Sequence, residues 1–254
     1  MTGFARIGHG GASALAPANT IASLDAAKEI GVDVIEFDVR AFRGQLVLAH
    51  TILQAHRGGN LTLREALRHL STRGFAGTEF HVDVKHTGCE LALLDSLLHA
   101  GLLTRTVICS QVAGVLDCVR SVEPGARVGI SVGGHVARAS RRWRHWRTQV
   151  LGGIQAGRWN ALMAQHRLID RRLLDDVTAR SGRVYAWTVN ERRAITALRE
   201  LGVHGVATAD PRLFSAASEA MHAGKQPRVG ADQSRALLGD ERAVEVAPFF
   251  DPAV

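Results

Sequence analysis

The stretch VIEFDVR, Val34 to Arg40, carries the two residues best placed to do chemistry. Glu36 and Asp38 are two apart among apolar neighbours, and on a strand such residues project from the same face. Two carboxylates on a buried face repel each other and lose hydration, so they call for a cation or strong hydrogen-bond donors. A metal site meets that need; an edge strand with its acidic face in water is the plainer alternative. In HVDVK, His81, Asp83 and Lys85 share one face while Phe80, Val82 and Val84 share the other. Asp83 adds a third carboxylate, and three carboxylates without a cysteine form a hard, oxygen-rich set suited to Mg2+ or Ca2+ rather than zinc. Lys85 beside them can neutralise a carboxylate or hold a phosphate oxygen, the structural counterpart being an internal ion pair. His9 and His50 close two apolar runs, and imidazoles facing a bound phosphate can serve as base and acid near neutral pH.

These side chains need a frame that brings strand ends together. Short apolar runs alternate with longer amphipathic segments, the signature of repeated βα units around a parallel sheet. Strands are expected at 4–9, 34–40, 79–85, 106–110, 126–132, 159–165, 184–190 and 205–210. LVLAH should fold back after a turn at Gly44 to end at His50, and helices follow each strand, the last from Pro211 to about Met221. Asn19 or Thr20 can cap the first helix. Eight units in this length suit a single (βα)8 TIM barrel, α/β in class, with working residues at the C-terminal ends of the strands. His9, Glu36, Asp38, His50, Asp83, Lys85, Ser110, Gln165, Trp187 and Asn190 lie there. The barrel is expected to occupy residues 1–221, and residues 222–254, rich in Gly, Pro and alternating charge, to form a mobile tail.

The 254 residues are 46% hydrophobic and 22% charged, with no apolar run of membrane-spanning length and no basic-then-apolar leader at the start. Cys89, Cys109 and Cys118 have no metal or disulfide spacing, and together these features lead to an expectation of a cytoplasmic protein. The formal charge of +7 favours anionic partners, but basic residues are spread along the chain except for a cluster at Arg138 to Arg147. On a helix, Trp143 and Trp146 would share one side, with arginines on a neighbouring face. That face could make weak membrane-surface contact; alternatively it is a barrel helix with its tryptophans packed on the sheet. No nucleic-acid module accompanies the charge, so no nucleic acid is expected.

Taken in order, His9-Gly10-Gly11, Pro17-Ala18-Asn19-Thr20, Glu36-Phe37-Asp38, LVLAH, VDVK, WTVN at Trp187 to Asn190 and GVHGVATADP resemble the glycerophosphodiester phosphodiesterase family, from about Ile7 to Phe214. The resemblance implies a TIM barrel in lipid metabolism that uses one divalent cation, Mg2+ or Ca2+, to cleave glycerophosphodiesters to glycerol 3-phosphate and an alcohol. Carried over by position, Glu36, Asp38 and Asp83 would bind metal and His9 and His50 would be the acid-base pair. Lys85 would contact phosphate and Trp187 would line the substrate pocket.

The family usually has HRG, PENT and an Asp after the second histidine, where this chain has Gly10, Ala18 and Thr51. The insertion that follows is cut to about ten residues, which should leave the mouth more open. VDVKHTG also looks like sphingomyelinase D-type phospholipases, which implies an alternative activity on lysophospholipids with release of a cyclic phosphate. The three departures motivate a further alternative, a non-catalytic phosphodiester-binding barrel.

Overall fold

A computed structural model describes residues 3–133 and 141–215, and for Arg141 and Arg142 the backbone only. The strands are β1 (Ala5–Gly8), β2 (Val34–Phe42), β3 (Gln45–Leu48), β4 (Glu79–Val84), β5 (Thr106–Ser110), β6 (Arg127–Val132), β7 (Ala161–Gln165), β8 (Arg183–Trp187) and β9 (Gly205–Thr208). All but β3 pair in parallel in the order β1-β9-β8-β7-β6-β5-β4-β2, and β1 also pairs with β2, which closes an eight-stranded barrel. The eight strands expected from the pattern are all present. β3 folds back antiparallel on β2 through Arg43 and Gly44, both at positive φ (49° and 75°), as a two-residue hairpin turn demands.

The helices are α1 (Ile21–Ile30), α2 (Ile52–His56), α3 (Leu63–Leu70), α4 (Glu90–His99), α5 (Ala113–Val122), α6 (Arg141–Gln155), α7 (Arg171–Thr178) and α8 (Arg192–Leu201). Thr20, not Asn19, caps α1, in a reciprocal box with Ser23. Thr51, where the family usually has Asp, caps α2, an extra turn of helix that the sequence pattern did not suggest. The eighth strand leads into a short 3-10 turn, Pro211–Phe214; the rest of the helix expected to Met221 and the tail at 222–254 lie outside the described residues.

Strand alternation divides the apolar side chains into two layers. The outer layer fills the space between sheet and helices and includes Phe80, Val82 and Val84. The inner one lines the lumen, with Ile7, Val34, Cys109, Met163, Tyr185 and Ala207. Trp143 and Trp146 belong to the outer layer: they stack with ring centroids 5.6 Å apart and are only 5% and 6% exposed, and Val150 and Ile154 continue their stripe. Of the two readings of this helix, the one with its tryptophans packed on the sheet describes where the rings lie, and their apolar area is spent on the barrel wall. Arg147 of the same helix reaches Asp176 of α7 at 2.5 Å. Among the described residues no helix is long and apolar enough to cross a membrane.

Candidate active site

β2 and β4 set the centre of the site, because their parallel register places Glu36 beside His81 and Asp38 beside Asp83. One oxygen from each of Glu36, Asp38 and Asp83 lies within 4.8 Å of the others. The edge-strand alternative is excluded, since Glu36 and Asp38 are buried. Burial, reinforced by Asp38, pushes the Glu36 carboxyl well above its usual range, while the Gly10 N–H donates to it at 2.8 Å. Burial likewise raises Asp83, whose Oδ1 is enclosed without a hydrogen-bond partner. For Asp38, burial is outweighed by Lys85 and His50, which hold it below the usual carboxylate range. Lys85 Nζ bridges Asp38 at 2.7 Å and Asp83 at 2.5 Å. Burial would lower its pKa, but the two carboxylates raise it, so the ammonium stays charged.

The two histidines flank this cluster. His9 Nε2 lies 3.9 Å from Glu36 Oε2 and 3.4 Å from Thr188 Oγ1. Burial lowers its pKa to about 4, so its ring is neutral at pH 7. His50 Nδ1 lies 3.3 Å from Asp38 Oδ1, and the His50 side chain is 56% exposed. Its backbone is held at both ends: its N–H donates to Gln54 Oε1 at 2.9 Å, and its carbonyl accepts from Arg40 Nε at 3.1 Å.

Of the strand-end residues singled out in the sequence, His9, Glu36, His50, Asp83, Lys85 and Trp187 line one pocket, with Asp38 behind Lys85. The Trp187 ring lies against Gly133, where a Cβ would come within 2.2 Å of it. Ser110 and Asn190 serve the frame instead: Ser110 Oγ donates to the Val84 carbonyl, and Asn190 Oδ1 accepts from Ala209 N–H. Gln165 ends β7 outside the pocket lining.

The positions of two departures from the family pattern touch: a Cβ on Gly10 would lie 3.0 Å from Ala18 Cβ. Their joint change removes two neighbouring groups at one point. Sequence reasoning missed Asn19 as a site residue. At φ +63° it turns away from the helix cap and hydrogen-bonds Asp38 through both ends of its amide. Its only signal was an Asn in a tight Pro-Ala-Asn-Thr loop, a residue type that tolerates positive φ. His81, Ser131 and Tyr185 were also missed, although all three line the pocket and His81 stood on the recognised face.

The model of the glycerophosphoryl diester phosphodiesterase family matches residues 9–100 and 105–213, which span every side chain of the pocket wall described above except Ile7. The chain belongs to that family. It is a phosphodiesterase, a hydrolase built on the family's barrel. Among solved structures, a candidate glycerophosphoryl diester phosphodiesterase from Silicibacter pomeroyi DSS-3 is similar at 17% identity and TM-score 0.73, covering 87% of this chain and 95% of that one. The Thermotoga maritima glycerophosphodiester phosphodiesterase is similar at 18% identity and TM-score 0.67, covering 84% and 98%. An Oleispira antarctica phosphodiesterase in complex with the product sn-glycerol-3-phosphate is similar at 20% identity and TM-score 0.67, covering 84% and 96%. A comparison with curated protein sequences gave no match.

Proposed function

We propose that this phosphodiesterase hydrolyses glycerophosphodiesters to glycerol 3-phosphate and an alcohol with the help of one divalent cation. The observation that carries the reading is the convergence of three carboxylates between two histidines at the strand ends, with Asp83 Oδ1 enclosed and unpartnered. An orphaned carboxylate oxygen within a hard donor set fits Mg2+ or Ca2+, held by Glu36, Asp38 and Asp83. Such an ion, when bound, supplies Lewis-acid stabilisation of the phosphoryl oxygens.

The remaining chemistry belongs to side chains. Neutral His9 accepts a proton from the attacking oxygen at Nε2. His50, with Nδ1 against Asp38, protonates the departing alkoxide. Lys85 adds a positive charge at the pocket edge for a phosphate oxygen, and Trp187 forms one wall. The sn-glycerol-3-phosphate held by the Oleispira protein supports a small glycerophosphodiester substrate. Three free cysteines, two of them buried, support a reducing, cytoplasmic setting. All of these residues fall within the catalytic unit we assign to 1–221.

A second reading, cleavage of a lysophospholipid with release of a cyclic phosphate, draws support from Ile52 and Leu53. Both side chains are exposed immediately after His50, where an acyl chain could rest. Phosphorus NMR separates the two. With Mg2+ or Ca2+ and glycerophosphocholine, glycerol 3-phosphate should form with the wild type and not with Asp83→Asn. A persistent cyclic phosphate from a lysophospholipid would move the assignment to the second reading, and no turnover of either would overturn both.

A further inference from the structure

A groove runs along the outer wall of the barrel between β1, α8 and the 3-10 turn Pro211–Phe214, with a cavity of about 290 Å3, near the size of a small-ligand pocket. It lies outside the lumen, because Arg6 alternates along β1 with the lumen residues Ala5 and Ile7 and so projects from the helix side. Its floor is apolar: Phe4 meets Phe214 edge-on at 6.3 Å between centroids, and Ile195 is buried beside them. Its rim is cationic. Arg199 Cζ lies 5.5 Å over the Phe4 ring. Arg192 Nη1 donates to the Ser215 carbonyl at 2.7 Å, while its Nη2 is enclosed without a hydrogen-bond partner. Asp33 neutralises Arg6 at 2.9 Å, but neither Arg192 nor Arg199 forms an ion pair among the described residues. An apolar floor beneath two uncompensated guanidinium groups fits a segment that brings aromatic rings and carboxylates together.

We propose that this groove is the docking site of residues 244–251 of the same chain, VEVAPFFD, with Phe249 and Phe250 on the apolar floor and Glu245 and Asp251 facing Arg192 and Arg199. The charge of the sequence singles out this segment. Residues 216–239 carry two acidic residues against three basic ones, whereas 240–251 carry four against one. Phe249 and Phe250 are also the only aromatic residues after Phe214. The stretch that directly follows Ser215, AASEAMHAG, offers one carboxylate and one large apolar side chain, too little to satisfy both arginines and cover both rings. Ser215 itself stands at the groove, held by Arg192, and residues 216–243 supply more than enough chain to span α8, about 15 Å long. Docking within one chain also gains from a high effective concentration. It places the segment on the wall between α8 and β1, apart from the pocket that holds the carboxylates and histidines.

The test is hydrogen-deuterium exchange of the full chain, read by mass spectrometry. Relative to their intrinsic rates, the amides of 244–251 should exchange about 10-fold or more slowly in the wild type than in a Phe249→Ser, Phe250→Ser variant. Dilution of the protein by about 100-fold should leave that slowing unchanged, as contact within one chain requires. Arg192→Gln with Arg199→Gln should remove most of the slowing while the amides of β2 and β4 stay protected, which shows that the barrel is folded. Should the double variant fail to fold, Arg199→Gln alone, at an exposed position, must weaken the slowing in the same direction. Exchange of 244–251 at the rate of the serine variant, or slowing that survives in a folded arginine variant, overturns the docking. So does slowing confined to 216–224, which would give the groove to the adjoining segment, or slowing lost on dilution, which would give it to a second copy.

Discussion

Asn19 holds Asp38 at two points: its Nδ2 donates to Asp38 Oδ2 at 2.8 Å, and its Oδ1 accepts from the Asp38 N–H at 3.0 Å. A residue of the β1–α1 loop thereby fixes the orientation of the central carboxylate of β2. The clasp requires Asn19 to sit at φ +63°, a conformation that the amide side chain helps to offset. Asn19→Gly keeps the backbone geometry and removes the clasp. It should lower kcat/KM by about 10- to 100-fold, as loss of a supporting contact to a metal ligand does. Asn19→Ala adds backbone strain and should be less stable than Asn19→Gly by about 1 kcal/mol in urea unfolding. Equal stability of the two would show that the positive φ is not a constraint.

Gln54 is expected to act through His50. Its Oε1 accepts from the N–H groups of His50 and Thr51, and the Gln54 N–H donates to Thr51 Oγ1, so α2 begins by fixing the histidine's backbone. Gln54→Ala should lower kcat several-fold with KM nearly unchanged, and Gln54→Glu, which keeps the acceptor, should recover most of the loss. A change confined to KM would place Gln54 in substrate binding instead.

Lys85 compensates for the carboxylates that surround it. Replacing it by Met leaves Asp38 and Asp83 without the ammonium at 2.7 and 2.5 Å, and removing one partner of an enclosed ion pair costs about 3 kcal/mol or more. The Lys85→Met protein should therefore melt well below wild type in chelator and regain more of its melting temperature than wild type does on addition of Ca2+ or Mg2+. Identical metal-induced shifts in the two proteins would show that the cation and the ammonium do not share these carboxylates.

His204 links stability to pH at the other end of the barrel. Burial, then Arg183, lowers its pKa, and its Nδ1 accepts the Val184 N–H at 3.1 Å, which only the unprotonated ring can do. The unfolded chain takes up this proton as pH falls through about 6.5 and the folded chain only below that. The contribution of His204 is thus complete above the unfolded pKa and declines as pH falls towards the folded one. His204→Asn keeps an acceptor that does not titrate. Between pH 8 and pH 5 its unfolding free energy should fall less steeply than that of wild type, and parallel curves would remove His204 from the linkage.

Much of the site was legible because strand geometry is local. Alternation alone put Glu36 with Asp38 and His81 with Asp83 and Lys85, and the succession of βα units implied a closed barrel whose strand ends converge. The family motifs added roles for His9, His50 and Trp187. The short helix α2 was not legible, because its five residues carry too little periodicity to stand out from a loop. The tryptophans of α6 fit two amphipathic readings equally well, since a helical stripe looks the same whether a sheet or a bilayer covers it.

By itself the sequence determined the barrel, the carboxylate and histidine set, and the departures at Gly10, Ala18 and Thr51. Only the tertiary structure decided that Gly10 and Ala18 are neighbours, that Asn19 turns to Asp38, that Trp143 and Trp146 face the sheet, and that His81, Ser131 and Tyr185 meet across one lumen. Side-chain direction along a strand repeats every two residues and can be read from a single segment. Which strands face each other, and which side chains then share a cavity, depends on closure and register among segments far apart in the chain.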